Sequence, residues 1–290
     1  MSATQTSLTK AQRREAARLE AQRIAAENAA KDARSKRIIW TALGALIAAL
    51  IAAVLFVARP WEQPTFDAAP DFQAVPLSEL TSVPANTMED GGFIITPTGG
   101  TTSVLNPDLP TLGIYFDYHC SWCYQFERIN LQNVRDIAAS GEANVVLHPV
   151  AILNRATPRT HFSSRSVAAA GWIAQYAPEH FLDFHEIMFD NQPQEQGGDM
   201  TNAEIAELAQ RVGVPADVAA GIADGTAAQT FGQWAVSLTQ ATLDSPHVRN
   251  PATGGFGTPT ITLNDEIQTR DLLDWSDPAE LPRIIAEARS

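Results

Sequence analysis

Apolar and polar positions divide the chain into stretches of different character. The longest apolar run covers residues 38–58, 21 positions without a charge, and a helix of that length spans about 30 Å, the thickness of the hydrocarbon core of a bilayer. Before it, residues 1–37 are rich in Ala, Arg, Glu and Gln and predict a solvated helix, with a coiled-coil partner site as the alternative. After it, residues 59–89 hold five prolines among polar and small residues, a composition typical of an extended linker.

From about residue 90 the pattern becomes that of a globular domain, 90–290. Apolar runs of strand length stand at 93–95, 112–116, 143–147 and 260–263. The second and third of these runs flank a predicted helix from Cys120 to about Ala139, and this spacing predicts a βαβ unit with parallel pairing. A stretch of almost wholly helical pattern follows. The fold class is therefore α/β, a thioredoxin-like sheet with an inserted helical domain at about 155–250, preceded by one transmembrane helix.

Helix-start signals mark two of the later helices. Thr201 followed by Glu204 three residues later forms a capping box. Asp277, Pro278 and Glu280 supply the cap, the proline and the reciprocal acid for a last helix. Six aromatic residues of the insertion are interpreted as its core, with a peptide groove as the alternative for a few of them: Phe162, Trp172, Phe181, Phe184, Phe189 and Trp234.

The residues that flank the apolar run 38–58 predict its orientation. Arg34, Lys36 and Arg37 precede it, and only Arg59 follows it closely. Because basic residues favour the cytoplasmic side, we expect a single-pass cell-membrane protein with a cytoplasmic N-terminus and an extracytoplasmic catalytic domain. A cleaved signal peptide fits poorly, since the leading polar region is too long. A buried core helix seldom runs this far without a polar face.

The formal net charge of −13 conceals an asymmetry between the two sides of that run. Residues 1–37 carry nine basic and four acidic side chains, a net charge of +5, whereas the remaining residues carry −18 and contain no lysine. An acidic body repels phosphate backbones, so nucleic acid is excluded as an expected partner.

The candidate chemistry lies in the two cysteines of the chain, Cys120 and Cys123, directly after a predicted strand. A helix that begins at Cys120 places its first amides and the positive end of its dipole beside that sulfur. This lowers the pKa of the Cys120 thiol, and the thiolate is the species that attacks in disulfide exchange. Cys123 lies nearly one turn further on the same face, close enough for a disulfide. We expect Cys120 to be exposed and reactive.

Three other interpretations of the cysteine pair are weaker. A structural disulfide across two residues closes too small a loop to stabilise the fold much. A zinc site needs two further ligands, and His180 and His185 do not share a helical face. Two unrelated free thiols outside the cell are improbable at this spacing. We therefore expect a redox pair, with no metal and no cofactor.

Two motifs in this order carry a family resemblance. Residues 116–127, which include both cysteines, resemble the active-site segment of the DsbA family of thioredoxin-fold oxidoreductases. Residues 257–260, Gly-Thr-Pro-Thr, resemble the cis-proline loop of that family. The helical stretch between them matches its inserted domain, so the resemblance covers roughly residues 90–290.

The resemblance implies roles for individual residues. Cys120 is expected to be the nucleophile and Cys123 its buried partner. Pro259 is expected to be cis and to pack against the disulfide, while the Thr258 backbone offers an added-strand contact to an extended substrate. The resemblance further implies that three residues around the pair tune its redox potential: Ser121, Trp122 and Thr258.

The sequence departs from the family pattern in two places. The dipeptide between the cysteines has no histidine, and His119 is a candidate substitute cation, although an idle loop histidine is the alternative. The position six residues before the nucleophile, where such enzymes often carry a buried acid, is Ile114. Glu127 and Asp117 are candidate replacements, each of which could instead be a solvated residue.

These observations predict an extracytoplasmic thiol–disulfide oxidoreductase that introduces disulfides into exported polypeptides. By resemblance, a quinone-linked membrane protein reoxidises it. The alternatives are a reductase or isomerase with the same site, and a non-catalytic binding or chaperone module.

Overall fold

The computed structural model describes residues 70–193 and 198–290, together with scattered positions between 18 and 44. The chain divides into two units, Met1–Gln63 and Pro64–Ser290. The described positions of the first unit are helical, and Arg23 pairs with Glu27 one turn later, as the spacing predicts. The apolar run 38–58 lies outside the described residues except at four positions. Among the helices that the structure describes, none is both long and apolar enough to cross a bilayer.

A six-stranded sheet forms the centre of the second unit, with the strand order β2-β1-β4-β3-β5-β6. Strands β3 and β4 are parallel and the other neighbouring pairs are antiparallel, so the predicted βαβ unit is confirmed. The strand bounds are β1 Phe93–Ile95, β2 Thr101–Thr102, β3 Thr111–Phe116, β4 Asn144–Pro149, β5 Thr260–Leu263 and β6 Glu266–Ile267.

Seven described helices surround the sheet. Their bounds are α1 Ser121–Ser140, α2 Phe162–Tyr176, α3 Phe181–Asp190, α4 Asn202–Arg211, α5 Ala216–Ala223, α6 Thr226–Asp244 and α7 Glu280–Ala288. Helix α1 connects β3 to β4, and its buried residues recur every three or four positions, which gives one face to the core. It ends at Gly141, whose positive φ of 65° is a common helix terminator.

Helices α2 to α6 form the insertion between β4 and β5. Five of its predicted core aromatics are at most 2% exposed, namely Phe162, Phe181, Phe184, Phe189 and Trp234. Trp172 is partly buried, and its indole N–H donates to the Val218 carbonyl (2.9 Å). The capping box of Thr201 and Glu204 is present at the start of α4, as predicted. The interpretation of these aromatics as core therefore holds.

The predicted linker, 59–89, is in part packed on the insertion. The Val75 amide donates to Ser237 of α6 (3.0 Å), and the Ala85 amide donates to Gln175 of α2 (2.6 Å). The Phe72 ring lies against α6 at Gly232. Proline content alone suggested an extended tether, but the apolar side chains between the prolines anchor residues 70–89 to the domain.

The start of the last helix differs from the prediction. Helix α7 begins at Glu280, and Ala279 takes the capping position without a side-chain hydrogen bond. The Asp277 carboxylate instead accepts from the Ala279 amide (2.9 Å), which forms a separate turn before the helix. Asp277 therefore accepts a backbone hydrogen bond, as its signal predicts, but it caps the turn before α7 and not α7 itself.

Candidate active site

The sulfur of Cys120 caps the helix that follows it. The residue has extended backbone angles (φ −83°, ψ 116°), and its Sγ accepts a hydrogen bond from the Cys123 amide at 3.3 Å. Its amide donates to the Asp117 carbonyl (2.9 Å), which fixes the turn between β3 and α1. The first-turn amides of α1 therefore point at the sulfur, as the sequence predicts. The helix itself begins at Ser121, one residue later than predicted, and Cys120 is its cap.

The two thiols differ in burial and in acidity. The side-chain hydrogen bond from Cys123, with the amides of Cys123 and Trp122, outweighs burial and lowers the pKa of Cys120 to about 7. Complete burial raises the pKa of the Cys123 thiol well above its ordinary value. Cys120 is 6% exposed and Cys123 0%, so both side chains are buried and the expectation of an exposed Cys120 is wrong. The pair combines one acidic thiol that keeps a small exposed fraction with one thiol that is fully buried and stays protonated.

The proline loop lies directly against the first thiol. The Thr258–Pro259 peptide bond is cis, as the resemblance implies. The Cys120 thiol donates to the Thr258 carbonyl (3.3 Å), although the two residues are 138 positions apart in sequence. Thr260 opens β5, and its hydroxyl donates to the Gly257 carbonyl (2.6 Å). The structure thus brings Cys120, Cys123, Thr258 and Pro259 together.

The residues between the cysteines face solvent. Ser121 is exposed, and Trp122 is 60% exposed with its ring at an edge contact to Trp275 (6.5 Å between centroids). Beside them, a cavity of about 390 Å³ is lined by Thr258, Pro259 and Trp275 among others. This cavity, which lies next to the exposed Trp122 indole and close to the reactive sulfur, has room for an extended peptide.

His119 is a poor substitute for the missing cation. Burial lowers the pKa of its ring below the ordinary value, with Asp199 acting in the opposite sense. The ring is therefore neutral at pH 7. Its Nδ1 has no hydrogen-bond partner among the described residues, and its ring makes an edge contact with Phe162. The helix start, and not His119, supplies the positive potential at the sulfur.

Asp117 is buried and organises the turn before the cysteines. One carboxylate oxygen accepts from the His119 amide (2.8 Å) and the other from the Leu153 amide (2.9 Å). Burial raises the pKa of Asp117 to about 6, and these hydrogen bonds oppose the shift. The interpretation of Asp117 as a solvated turn residue is wrong, since this carboxyl ties the end of β3 to the loop after β4.

Glu127 is also buried, with a side chain that is 4% exposed. It lies on the inner face of α1, one turn beyond Cys123, and Oε1 is 3.2 Å from Nε2 of His185 in α3. The solvated alternative for Glu127 is therefore excluded. The sequence does not mark His185 as a neighbour of Glu127, because the two residues lie in different helices and are 58 positions apart.

Gln192 is a second residue that the sequence did not reveal. Its side-chain amide, 5% exposed, donates to the carbonyls of Tyr118 (2.8 Å) and Cys120 (3.1 Å). The residue follows α3, so the insertion holds the active-site turn directly. Nothing in the local pattern marks this glutamine, because its partners lie more than seventy positions earlier.

No model of a known protein family matches the chain. Among curated proteins, the serine/threonine-protein kinase PknE of Mycobacterium tuberculosis is 29% identical over 182 residues, which are 60% of this chain and 29% of the kinase. The chain therefore spans less than a third of the length of that relative.

Solved structures give a broader likeness. A thiol–disulfide oxidoreductase of Actinomyces oris, MdbA, is 24% identical with a TM-score of 0.57, over 77% of this chain and 100% of that one. The reduced DsbA of Mycobacterium tuberculosis is 28% identical with a TM-score of 0.52, over 68% and 91%. DsbG of the same organism is 28% identical with a TM-score of 0.50, over 63% and 82%.

The order of strands, the helical insertion and the pairing of a cysteine helix with a cis-proline loop agree with this likeness. The chain has a thioredoxin-like fold of the DsbA type and is similar in structure to bacterial thiol–disulfide oxidoreductases.

Proposed function

We propose that this chain is an extracytoplasmic thiol–disulfide oxidoreductase that introduces disulfides into exported polypeptides. The observation that carries the proposal is the asymmetry of the cysteine pair. Cys120 has a pKa of about 7 at a helix start, and Cys123 is completely buried beside it with a raised pKa. An acidic first thiol is a good leaving group and favours the reduced enzyme, which makes the disulfide oxidising.

The reaction follows from this geometry. A substrate thiolate attacks Sγ of Cys120, a bond forms between the two sulfurs, and the electron pair of the Cys120–Cys123 bond passes to Cys123. The second thiolate of the substrate then attacks the substrate sulfur of the mixed disulfide. The substrate leaves with a new disulfide, and the enzyme leaves with two reduced cysteines.

The cis-proline loop and the neighbouring cavity support binding of an extended peptide. Thr258 is partly exposed beside Cys120, and the cavity continues along Pro259 towards Trp275. Backbone groups at a strand edge recognise a peptide without regard to its sequence. We infer that the substrates are unfolded cysteine-containing polypeptides. As the resemblance implies, we propose that Ser121, Trp122 and Thr258 tune the redox potential; the Trp122 amide and the Thr258 carbonyl lie at the Cys120 sulfur.

The apolar run 38–58 supports a membrane anchor with the N-terminus in the cytoplasm. Such an anchor holds the oxidoreductase unit outside the cell, where disulfides persist. Each turnover leaves the pair reduced, so an electron acceptor is required, and a quinone-linked membrane protein is the class that we propose. We propose that residues 1–37 are the cytoplasmic segment and that residues 59–69 connect the anchor to the oxidoreductase unit.

Trapping of mixed disulfides tests the activity. The full-length protein with Cys123→Ala, expressed in its host, is expected to accumulate mixed disulfides with exported proteins, because the resolving thiol is absent. Cys120→Ala is the matched control and should accumulate none. Equal recovery from both variants, or none from either, contradicts the proposal and favours a module that binds without catalysis.

Equilibration with glutathione tests the direction. Purified full-length protein in detergent is expected to be reduced at most glutathione ratios, as an oxidase is. A difference of about 30 mV changes the free energy of the two-electron couple by roughly 1.4 kcal/mol, so an oxidase and a reductase are well separated. A pair that stays oxidised under reducing glutathione buffers indicates a reductase or isomerase.

A further inference from the structure

The cavity beside the proline loop carries a single charge. Its volume is about 390 Å³, and its walls run from Thr258 and Pro259 to the loop that follows β6. Threonine, asparagine and glutamine side chains make up the polar part of these walls, and the apolar part includes Phe256 and Trp275. Among the described residues that line the cavity, Arg270 alone is ionisable. It is exposed, so a bound peptide can reach its guanidinium.

An indole ring supports the guanidinium of Arg270. Cζ of Arg270 lies over the Trp275 ring, 5.7 Å from its centroid, which is within the range of a cation–π contact. Such a contact leaves the N–H donors of the guanidinium unused. They remain available to a carboxylate, which arginine binds through two parallel hydrogen bonds. The cavity wall therefore presents a supported site for an acidic side chain.

No carboxylate of the described chain forms an ion pair with Arg270. The described arginines that do pair with a carboxylate are Arg23, Arg135, Arg165, Arg283 and Arg289. Asp274 acts on Arg270 through its charge, but its carboxylate accepts hydrogen bonds from the amide (3.2 Å) and the hydroxyl of Ser276. The Asp271 carboxylate likewise bonds to the side chain of Thr269. A carboxylate from a bound peptide is thus the partner that the site lacks.

Trp275 is fixed to the active-site helix. Its backbone carbonyl accepts from the side-chain amide of Asn130 (2.8 Å), a residue that is fully buried. Its ring contacts those of Phe126 and Trp122, at 5.9 and 6.5 Å between centroids. All three partners belong to α1, the helix that Cys120 caps. The support of the guanidinium therefore has a defined place relative to the reactive sulfur.

The charge of Arg270 is opposite to that of the surrounding body. Beyond residue 37 the chain has a net charge of −18 and contains no lysine. Such a body repels an acidic polypeptide at long range. At physiological salt, however, exposed charges more than about 8 Å apart are largely screened from each other. A peptide already in the cavity therefore responds chiefly to Arg270.

We propose that Arg270 determines substrate specificity by selecting cysteines that have an acidic side chain nearby in the polypeptide. This inference rests on the proposed oxidoreductase function and names the class of substrate that its site prefers. The substrate cysteine reaches Cys120, the peptide backbone follows the Thr258–Pro259 loop, and an aspartate or glutamate of the substrate pairs with Arg270 beside the Trp275 ring.

Single-turnover oxidation of matched peptides tests the selection. Unstructured peptides with two cysteines carry Glu, Gln or Lys at one position, which is scanned along both sides of the first cysteine. Each is mixed with oxidised full-length protein in a non-ionic detergent. At the position that reaches Arg270, we expect the second-order rate constant to be about three- to fivefold higher for Glu than for Gln, the upper range for an exposed ion pair. The preference should shrink at about 0.5 M salt, because the charges are then screened.

Matched substitutions separate the role of Arg270 from an effect of net charge. Arg270→Gln should abolish the preference for Glu, and Arg270→Glu should favour Lys by a similar factor. Arg289→Gln is the control, since it removes the same charge from a residue that pairs with Glu142. That pair lies beyond the C-terminal end of α1, which is about 30 Å from the end at Cys120. The control should keep the wild-type preference.

Protection of Cys120 gives a measurement that does not depend on oxidation. Peptides in which Ser replaces both cysteines are titrated against the reduced protein, and alkylation of Cys120 by iodoacetamide is followed. The Glu peptide should halve the alkylation rate at an about three- to fivefold lower concentration than the Gln peptide. Equal protection by the two peptides, or a preference for Glu that persists in Arg270→Gln, overturns the inference. A wild-type protein that oxidises none of the cysteine peptides overturns the proposed function instead.

Discussion

At the scale of single residues, the reactivity of this protein depends on a sulfur that replaces the usual oxygen of a helix cap. Cys120 accepts the Cys123 amide as a serine or aspartate would, and the same amides stabilise its thiolate. We expect alkylation of the reduced protein by iodoacetamide to increase with pH with a midpoint near 7. Cys120→Ala should abolish this pH-dependent alkylation, because burial leaves the Cys123 thiol protonated and inaccessible. A midpoint close to 9 contradicts the assignment.

Asp117 gives a second prediction at this scale. Its folded-state pKa, about 6, is above the ordinary value of 3.8. The stability that this group contributes is therefore fully present below about pH 4 and is lost as the pH rises through 6, a change of about 3 kcal/mol. In Asp117→Asn this loss is absent. The difference in unfolding free energy between variant and wild type should shift by about 2.5 kcal/mol in favour of the variant from pH 4 to 7.

Denaturant unfolding at both pH values measures the shift for Asp117→Asn. The hydrogen bonds that the asparagine loses change the two measurements alike, so they cancel in the comparison. Asp108→Asn, in an exposed turn, is the control and should show no such shift. A variant whose difference from wild type is the same at both pH values contradicts the buried, protonatable role.

At the scale of elements, the segment 70–89 is held to the insertion by close approach to a glycine. A Cβ on Gly232 would lie 2.5 Å from the Phe72 ring, so Gly232→Ala must displace that ring. We expect the substitution to destabilise the wild type by about 1–2 kcal/mol. In a Phe72→Ala background the same substitution should stabilise by up to about 1 kcal/mol, since alanine is the better helix former. Denaturant unfolding of wild type, the two single variants and the double variant gives the coupling energy between positions 72 and 232. Additive effects of the two substitutions contradict the docking of the Phe72 ring on α6.

The elements themselves were largely predictable because their signals are local. The strands β1 and β5 begin and end where the apolar runs do, and the capping box places the start of α4. The docking of residues 70–89 was not predictable, because it depends on Gly171 and Gly232 in helices more than eighty positions later. The burial of Glu127 could not be predicted from the sequence either, since its partner His185 lies in another part of the chain.

At the scale of the whole molecule, the two motifs that meet at the active site are about 140 residues apart. The sequence predicted this meeting through the resemblance, and the pairing of β3 with β5 produces it by placing Thr260 opposite Tyr115. What the resemblance could not supply is the contribution of the insertion. His185 comes from α3, the second helix of the insertion, and Gln192 from the turn after it, and both contact the active-site segment. The insertion is thus part of the site as well as its cover.

The redox state of the pair is coupled to the stability of the whole fold. In the reduced protein the folded state lowers the pKa of Cys120 from 9.0 to about 7, so its contribution to stability is present above pH 9 and is lost as the pH falls through 7. Between pH 7 and 8 the unfolding free energy of the reduced form should increase by about 1 kcal/mol through this group. Cys123 adds nothing in this window, since its raised pKa leaves it protonated both folded and unfolded.

Oxidation removes the titrating thiol, so the oxidised protein should lack this increase, as should reduced Cys120→Ala. Denaturant unfolding of the three forms at pH 7 and 8 measures it. Because the thiolate stabilises only the reduced fold, the same coupling makes the disulfide easier to reduce as the pH rises through this window, relative to a pair with an ordinary thiol. An equal pH response in the oxidised and reduced forms would mean that the helix start does not stabilise the Cys120 thiolate, and the oxidising direction would lose its physical basis.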